Sequence, residues 1–551
     1  MRNHPDHDFI INGLTHGFDI IEQNVDPIPC NMENYKSATD AQYKAKVDKQ
    51  IQAELAEGYY QIVNSKPCMV SALGAIPKSN GGIRLIHDCS RPAGAAVNDM
   101  AKHEEFSMQS VDNAVSMIDK NWYMGKVDLK NAYRSIPISK NSQRVTGLSW
   151  VVDGKKVYMV DTRLPFGARA SPYIFNKVTQ SVRYMMEKRG FHNIVVYLDD
   201  FWVCANSYHE CSVAMDTLLK LLRSLGFHIN WSKVEGPSKC MTFLGIEINS
   251  EEMTLAIPKD KLEDTIGLVH TFLARRRSSK KQLQSLVGRL SWLARVVSPG
   301  RIFLRALIEA MSKAKAAAHK VIHTSAMRED LLWWAEVAPL INGTMAIKGK
   351  IPISSVITDA CPIGGAGVFN NDWFYVNWAA DSPLLANLHI NYKELLCTVL
   401  AARRWAALWK DRVVIFYTDS MVTKGMLQKG KCRDPVVRSL LKELYMQAVV
   451  YNFHIESVHV PGVDNVLADS ISRLHIPNKS QEVLALFPQL LGIPFQMGFH
   501  NLEKHMSLAS VLFLFLQRCP LVFGRIGSKE EFPFCNHKCT LSQQRQLIGV
   551  T

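Results

Sequence analysis

Two adjacent aspartates, Asp199 and Asp200, lie between apolar runs at residues 194–198 and 201–204. Two apolar runs separated by a short polar stretch predict a β-hairpin, here with both carboxylates displayed at its tip. Aspartate is also a common turn former, so a solvated β-turn without any chemistry is the alternative. A third acid close to the pair would decide between these interpretations.

Asp128 is the candidate third acid, because it follows a short predicted strand and precedes a helical turn. Adjacent carboxylates repel each other and raise each other's pKa unless cations neutralise them. Two divalent ions about 3.5–4 Å apart do so, and they also stabilise the attacking and leaving oxygens of phosphoryl transfer. An oxygen-only ligand set favours Mg²⁺, with Mn²⁺ as a substitute. The sequence therefore predicts a two-ion site at Asp128, Asp199 and Asp200.

A second set of acids lies on separate predicted elements. Asp359 and Asp419 each end a strand, Glu394 lies on a helix, and Asp469 lies in a segment further along the chain. Each has an ordinary explanation, because Asn391 and Glu394 fit a helix capping box and aspartate commonly ends a strand. Together they fit a sheet-and-helix assembly in which four acids converge on two further ions.

The elements that must position these acids form two mixed α/β regions with a helical region between them. A helix is predicted at residues 41–57, and a hairpin at 70–77 and 83–86 around a Gly-Gly turn. Strands are predicted again at 354–358, 373–378 and 413–417, with a helix at 392–409. Alternation of strands and helices in both regions predicts a multidomain α/β and α+β fold.

The helical region spans about residues 261–318. Apolar residues at helical spacing predict one buried face: Leu283, Leu286, Val287, Leu290 and Ala294. Basic residues surround the same helix: Arg275, Arg276, Arg277, Lys280, Lys281, Arg289 and Arg295. A solvated surface is the ordinary interpretation of such a charge run. Beside a phosphoryl-transfer site, the run becomes a candidate contact for a duplex backbone.

Composition and charge limit the class of protein. With 551 residues, 47% hydrophobic and 21% charged, the chain exceeds a single core and should form about three or four globular domains. A net charge of +14 favours a polyanionic partner, although many basic proteins bind no nucleic acid.

Cysteine usage and apolar runs address the compartment. Twelve scattered cysteines and a start without an apolar leader predict an intracellular protein of the cytoplasm or nucleus. The longest apolar run, around residues 511–516, is too short to cross a bilayer, so no membrane partner is expected.

The order of motifs over roughly residues 70–250 resembles that of reverse transcriptases. Asp128 matches the aspartate of motif A, and Tyr197 begins the match to the catalytic hairpin. Phe166 and Gly167 lie in a segment that resembles motif B, which backs the incoming nucleotide. The resemblance implies an RNA-directed DNA polymerase, also able to copy DNA, that binds dNTPs, an RNA template and a DNA primer.

Further positions acquire roles from the same resemblance. Lys78 and Arg84 lie where the family's fingers hairpin grips the triphosphate; otherwise they are surface charges. Tyr133 matches the steric gate, whose ring fills the space of a ribose 2′-hydroxyl; a half-buried core tyrosine is the alternative. Lys233 resembles the motif D lysine that protonates pyrophosphate, and residues 243–246 resemble the primer grip.

Residues 352–475 resemble ribonuclease H domains, and the second set of acids matches the metal-binding acids of that family in order. His459 matches its mobile histidine, which handles protons or helps product release; a lone histidine is otherwise more often structural. The resemblance implies that the chain degrades the RNA strand of an RNA–DNA hybrid, with two Mg²⁺ ions in this site as in the first.

Segments outside the catalytic motifs resemble DIRS-like, tyrosine-recombinase retrotransposons. They are residues 4–9 with 17–18, 284–290 with 299–301, and 332–334. This resemblance implies a separately encoded recombinase and a gag-like protein as partners. The alternative is a catalytically retired copy that only binds nucleic acid, which intact acids at all the metal positions oppose.

The expected architecture is a right-hand polymerase followed by a ribonuclease H-like mixed sheet. It comprises an N-terminal extension at 1–60, fingers and palm at 61–250, a helical thumb and connection at 251–350, a ribonuclease H domain at 351–476, and a tail of unknown role at 477–551. In the tail, Cys535, His537 and Cys539 have awkward spacing for a zinc site, so ordinary cysteines are favoured.

Overall fold

A computed structural model describes residues 3–23, 25–78, 81–342, 345–347, 352–370, 372–381, 383–430, 434–479, 481 and 483. The chain divides into two compact units, Met1–Met253 and Thr254–Thr551. The cysteine and histidine candidates of the tail lie outside the described residues.

The first unit mixes strands and helices. Its strands are β1 (Cys30–Asn31), β2 (Tyr60–Val63), β3 (Met69–Val70), β4 (Leu73–Pro77), β5 (Ile83–His87), β6 (Tyr123–Asp128), β7 (Gly147–Val152), β8 (Lys155–Asp161), β9 (Ile194–Tyr197), β10 (Asp200–Ala205), β11 (Glu235–Ser238), β12 (Cys240–Phe243) and β13 (Ile246–Asn249). Its helices are α1 (His7–His16), α2 (Lys36–Thr39), α3 (Ala41–Ala56), α4 (Val111–Met117), α5 (Lys140–Gln143), α6 (Ala170–Glu187) and α7 (Tyr208–Ser224), with 3-10 turns at Val97–Asp99, Ala132–Ser135 and Trp231–Lys233.

The first unit contains an antiparallel sheet with the strand order β11-β6-β10-β9. Helices α6 and α7 bury one apolar face each in the core that contains this sheet, with side chains such as Phe175 and Leu218 fully buried. Burying each large side chain contributes about 1.5–3 kcal/mol, so this packing fixes the strand ends that carry acids.

Two further strand groups complete the first unit. A sheet runs β1-β3-β7-β8-β2, and β4 pairs with β5 as an antiparallel hairpin in which Leu73 lies opposite His87. The predicted hairpin and the predicted helix at 41–57 are therefore confirmed. Asp40 begins that helix by accepting a hydrogen bond from the backbone N–H of Gln42, as a capping aspartate does.

The second unit begins with helices and ends with a mixed sheet. Its helices are α8 (Lys259–Leu273), α9 (Lys280–Leu293), α10 (Arg305–Lys313), α11 (Ser325–Glu336), α12 (Ala338–Ile341), α13 (Trp378–Asp381), α14 (Pro383–Ala386), α15 (Ile390–Trp405), α16 (Met421–Lys429), α17 (Pro435–Val450) and α18 (Val466–Ser472), with 3-10 turns at Ser298–Leu304 and Ala406–Trp409. Its strands are β14 (Thr254–Ala256), β15 (Arg277–Ser279), β16 (Lys320–Ile322), β17 (Met345–Ala346), β18 (Ile353–Ala360), β19 (Gly364–Phe369), β20 (Asp372–Asn377), β21 (Val413–Thr418) and β22 (His454–His459).

The mixed sheet has the order β20-β19-β18-β21-β22. β18, β19 and β20 are antiparallel neighbours, whereas β18, β21 and β22 run parallel. Parallel neighbours need a crossover, and α15 lies in the connection between β18 and β21. The strands predicted from residue 354 onward are confirmed. The capping box considered as the ordinary explanation of Asn391 and Glu394 does not form, because His389 precedes α15 and its Nδ1 accepts the backbone N–H of Asn391, the second residue of the helix.

The helical region has the expected buried face. Leu283, Leu286 and Leu290 are fully buried on α9, which Ser279 and Gln282 begin as a capping box. The region also contains a pair of strands, β15 with β16, that helical periodicity does not predict. Among the helices in the described ranges, none combines the length and apolar character that a membrane span requires.

Candidate functional site

The first acids lie at the ends of neighbouring strands. Asp128 ends β6 and lies opposite Asp200, the first residue of β10, in the antiparallel register. The backbone N–H of Leu129 donates to the carbonyl oxygen of Asp199 (3.1 Å). Leu198 takes a left-handed conformation (φ 53°), which closes the hairpin tightly enough to leave both aspartates at its tip. Folding therefore gathers all three carboxylates at one edge of the sheet.

Two donors hold the carboxylate of Asp128. Lys233 Nζ lies 2.8 Å from Oδ2, and Asn230 Nδ2 lies 2.8 Å from Oδ1. Sequence reasoning placed Lys233 at the site but missed Asn230, whose signal is only its position three residues before that lysine. The hydrogen bond to Asp128 raises the pKa of Lys233, so its ammonium stays charged.

Burial and mutual repulsion change the acidity of the hairpin pair. Burial, followed by the charges of Asp199 and Asp128, raises the pKa of Asp200 to about 7. Burial is also the largest cause of the raised pKa of Asp199. Bound cations would remove the electrostatic repulsion between these clustered, part-buried carboxylates. A set of oxygen ligands alone fits Mg²⁺ or Mn²⁺.

Aromatic rings lie beside these acids. Tyr133 stacks on Phe166 with ring centroids 4.9 Å apart, and its edge meets Phe175 at 5.2 Å. Burial, and next the charge of Asp199, raises the pKa of Tyr133 to about 12, so its phenol stays neutral. The guanidinium of Arg84 lies over the Phe166 ring at 5.6 Å. The structure therefore brings three of the predicted nucleotide-contacting residues together.

The remaining candidates of the first site lie around that group. Tyr197 is half-buried at the end of β9, opposite Asp200. Lys78 is exposed at the turn of the β4–β5 hairpin, where its backbone N–H donates to the carbonyl of Gly82 (2.8 Å). Gly167 has a φ of +135°, and a Cβ there would lie 2.0 Å from the carbonyl oxygen of His87. Only glycine fits that position.

The second set of acids forms a compact group in the mixed sheet. Asp359 lies on β18 and Asp419 directly follows β21, its parallel neighbour, while α15 supplies Glu394. Asp359 is 3% exposed and Glu394 5% exposed. Each of the three offers a carboxylate oxygen within 4.8 Å of the others. Such a group is a candidate metal site.

The oxygens of this group are only partly satisfied. Glu394 Oε1 accepts the backbone N–H of Ala360 (3.2 Å), and Asp359 Oδ1 accepts from Asn465 Nδ2 (3.3 Å). Among the residues that the structure describes, buried Asp359 Oδ2 and Glu394 Oε2 find no hydrogen-bond partner. Burial, then the neighbouring carboxylates, raises the pKa of Glu394 to about 9, and burial raises that of Asp359 to about 6. Free buried oxygens beside mutually repelling acids fit divalent cations.

Asp469 is not brought into the compact group. It lies on α18 with a partly exposed side chain, and its Oδ1 is paired with Arg473 Nη2 at 2.6 Å. It still raises the pKa of Asp359, so it lies at the border of the site. The helical spacing of Asp469 and Arg473, four residues apart, is the signal for this pairing, which sequence reasoning did not use.

His459 and Asn465 lie beside the same acids. His459 ends β22, and its Nε2 lies 3.1 Å from the carbonyl oxygen of Asp419, which can only accept. Nε2 therefore carries a proton in this arrangement. Asn465, 2% exposed, was missed, because its contact with Asp359 joins residues more than a hundred positions apart.

Part of the chain is similar to known proteins. Residues 76–248 match the family model described as reverse transcriptase (RNA-dependent DNA polymerase). The Pro-Pol polyprotein of feline foamy virus is 28% identical over 252 residues, covering 45% of this chain and 20% of the relative. The Transposon Tf2-3 polyprotein of Schizosaccharomyces pombe is 21% identical over 422 residues, covering 75% of this chain and 29% of the relative. The chain thus spans less than a third of these curated relatives.

Solved structures share the fold. The foamy viral protease-reverse transcriptase in complex with dsDNA matches with a TM-score of 0.51 at 18% identity, covering 80% of this chain and 87% of that one. The same protein in complex with RNA/DNA hybrid matches with a TM-score of 0.50 at 18% identity, covering 80% and 56%. The similarity extends well beyond residues 76–248, which supports a polymerase fold followed by a further domain.

Proposed function

We propose that this chain, which contains a reverse transcriptase domain of the retroviral and retroelement Pol kind at residues 76–248, synthesises cDNA on an RNA template and degrades the RNA strand of the resulting hybrid. The main evidence for the polymerase activity is that Asp128, Asp199 and Asp200 lie together at one edge of a sheet, within the residues 76–248 that match the family model. The compact acid group of the mixed sheet supports the nuclease activity.

In the polymerase site, Asp128, Asp199 and Asp200 are the residues that would hold divalent cations. When bound, such ions neutralise the carboxylates and polarise the reacting phosphate oxygens. Lys233 stays protonated on Asp128, which suits it to donate a proton to the departing pyrophosphate.

Selection of deoxyribonucleotides over ribonucleotides is proposed for Tyr133 and the rings that pack on it. The stacked ring of Tyr133 has Phe166 and Phe175 against it, so it resists displacement by a 2′-hydroxyl. Arg84, beside Phe166, and Lys78, at the hairpin turn, supply positive charge for a triphosphate. Residues 164–172 back the base, with Gly167 allowing close passage of the chain past His87.

In the nuclease site, Asp359, Glu394 and Asp419 would hold the ions, with Asp469 completing the set from its border position. Asn465 orients Asp359 by its hydrogen bond. His459, with a proton on Nε2, is positioned to move protons or assist product release next to Asp419.

The partners follow from the two activities. They are an RNA template, a DNA primer, dNTPs and the RNA–DNA hybrid. Solved relatives were captured with dsDNA and with RNA/DNA hybrid. The division into thumb and connection (251–350) and ribonuclease H domain (351–476) belongs to this proposal, as does the use of the basic side chains around α9 along a duplex backbone.

A DIRS-like origin is the finer proposal, carried by the sequence segments around α1, α9 and α11. It expects a tyrosine recombinase and a gag-like protein to be encoded beside this chain. Sequencing of the flanking DNA checks it, and an integrase gene in place of the recombinase would contradict the subfamily without affecting the polymerase proposal.

The test is primer extension by the purified chain on RNA and DNA templates, with dNTPs and Mg²⁺ or Mn²⁺. We expect extension on both templates, loss of it in Asp200→Asn, and retention in Asp216→Asn, whose aspartate is exposed on α7. A gel shift of the same duplexes without extension in either ion would instead favour a retired copy that only binds nucleic acid.

A further inference from the structure

Arg134, the residue after the stacked Tyr133, is buried among acids. Its side chain is 6% exposed. Nη1 donates to both carboxylate oxygens of Asp161, at 2.9 and 2.8 Å, and Nε donates to Glu54 Oε2 at 2.9 Å. A planar guanidinium that grips two carboxylates fixes direction as well as distance, which an ammonium cannot do.

The partners of Arg134 lie on separate elements. Glu54 lies on α3, and Asp161 ends β8, where it is the register partner of Tyr60 on β2. The rings of Tyr59 and Tyr60 lie 5.5 and 5.2 Å from the guanidinium. Arg134 therefore ties the 3-10 turn that carries it to a helix and a pair of strands.

Such a network is a poor means of stabilising a fold, because three charges lose their hydration when they are buried and the ion pairs offset that loss only in part. An apolar cluster of the same volume is often as stable or more so. What the network gives is a defined geometry for the turn Ala132–Ser135. Tyr133 is the residue of that turn whose ring stacks on Phe166 and whose pKa is raised by the charge of Asp199, after burial.

Local hydrogen bonds and the burial of Ala132 and Ile136 hold the backbone of this turn, but they do not act on the ring of Tyr133. The turn begins at Asn131 in a left-handed conformation (φ 57°) without a side-chain cap. The ring of Tyr133 packs on the rings of Phe166 and Phe175, which restrain its plane but not its sliding along them. Directional restraint comes from the next residue, Arg134.

We propose that Arg134 is a positioning residue for sugar selection: its ion pairs with Glu54 and Asp161 set the place of the Tyr133 ring, although Arg134 itself is buried away from any nucleotide. This inference rests on the proposed polymerase function. It adds to it a determinant of discrimination between dNTPs and rNTPs that lies outside the motif residues.

The experiment uses the full chain with 3-fluorotyrosine at position 133. Arg134→Lys keeps the charge and loses the fork; Glu54→Gln keeps the shape and leaves the pair with Asp161, so it serves if the lysine variant fails to fold. Arg403→Lys, which alters another buried arginine–glutamate pair, with Glu443, is the matched control. Fluorine NMR reports the environment of the Tyr133 ring, and kcat/KM for a dNTP and the matching rNTP reports selection.

We expect the Tyr133 resonance to shift or broaden in the Arg134 and Glu54 variants but not in the control. The dNTP to rNTP ratio of kcat/KM should fall about five-fold or more, since small misplacement of a positioning group has effects of this size. In a Tyr133→Ala background, Arg134→Lys should leave that ratio unchanged, because the ring through which it acts is gone.

An unchanged fluorine spectrum overturns the inference whatever the activity. So does an unchanged ratio in an active variant, or an equal fall of the ratio with and without Tyr133. If the wild-type chain extends no primer, the proposed function fails, and the fluorine spectra alone then decide whether Arg134 positions the ring.

Discussion

At the scale of single residues, the buried carboxyl group of Glu394 makes the stability of the metal-free protein depend on pH. Its pKa of about 9 far exceeds the ordinary value of 4.5, with burial as the largest cause and Asp359 and Asp419 next. In the folded, metal-free protein Glu394 therefore holds its proton up to about pH 9, whereas in the unfolded chain it releases it above about pH 4.5. Folded protein binds more protons in that window, so metal-free stability falls as pH rises from 4.5 to 9.

The first prediction uses Glu394→Gln, which keeps the shape and is neutral in the folded and the unfolded chain, so that it takes up no proton on folding. At pH 8 without divalent ions, the variant should melt at least about 2 °C higher than the wild type, because a gain of about 1 kcal/mol has this effect in a unit of this size. Addition of Mg²⁺ should raise the Tm of the wild type and not that of the variant. Thermal melting at pH 5 and pH 8 checks this, and a lower Tm for the variant at pH 8 would contradict it.

The second prediction concerns Tyr133. Tyr133→Ala should raise incorporation of ribonucleotides relative to deoxynucleotides by about ten-fold or more, because the ring no longer competes for the space of the 2′-hydroxyl. Tyr133→Phe, which keeps the ring, is the control and should discriminate as the wild type does. Single-nucleotide incorporation with a dNTP and its rNTP measures both variants. Unchanged sugar selectivity in Tyr133→Ala would remove this residue from the role.

At the scale of elements, the turn before α6 depends on one glycine. Gly167 passes the backbone of His87 so closely that any Cβ must displace main chain, in addition to its positive φ. Gly154, in the β7–β8 turn, also has a positive φ (75°) but has nothing within 4 Å of the same atom. Comparing Gly167 with Gly154 therefore separates the cost of a steric clash with the backbone from the cost of a side chain at positive φ.

The third prediction follows from this comparison. Gly154→Ala should cost about 1 kcal/mol of unfolding free energy, the ordinary effect of a side chain at positive φ. Gly167→Ala should cost about 3 kcal/mol or more and weaken dNTP binding, since Phe166 moves with the turn. Urea denaturation and the KM for dNTP measure the two effects, and equal losses of stability would contradict the steric explanation.

The elements that sequence analysis predicted well are those encoded locally. The hairpin around Asp199 and Asp200 has apolar flanks that specify it, and the helix at 41–57 carries its own cap at Asp40. The β15–β16 pair lies in a region of helical periodicity, and its partners are some forty residues apart, so no local signal marks it.

The candidate site divides in the same way. Acids in recognisable motifs were found, whereas Asn230, Asn465 and the Glu54–Arg134–Asp161 network are defined by partners from distant segments. The position of Asp469 likewise depends on a competing ion pair with Arg473. Which distant groups meet is decided by packing, which one sequence without its fold does not display.

At the scale of the molecule, the second unit joins its helical region to its mixed sheet through a buried ion pair. Lys442 on α17 lies 2.8 Å from Asp330 on α11, which is fully buried, and its ammonium also lies over the ring of Phe303 at 5.3 Å. Asp330 also accepts the backbone N–H of Ala306 at the start of α10 (3.0 Å). We expect these parts to unfold together.

The fourth prediction is that Lys442→Met lowers the unfolding free energy by about 3–5 kcal/mol, because it leaves Asp330 charged and unpaired in the interior. Adding Asp330→Asn should recover part of the loss, since the amide still accepts the N–H of Ala306. Lys44→Met, at an exposed pair with Asp48, is the control and should change little. Urea unfolding followed by tryptophan fluorescence measures all of them; a Lys442→Met variant as stable as the control would contradict the expectation.

The central claim is that folding gathers two separate sets of acids, each serving its own reaction. One assay measures both reactions at once, with a labelled DNA primer on a differently labelled RNA template in the presence of dNTPs and Mg²⁺. We predict that Asp199→Asn loses primer extension and still cleaves RNA in the hybrid, whereas Asp419→Asn extends the primer and leaves the RNA intact. Retention of both activities in both variants, or loss of both in each folded variant, would contradict the account.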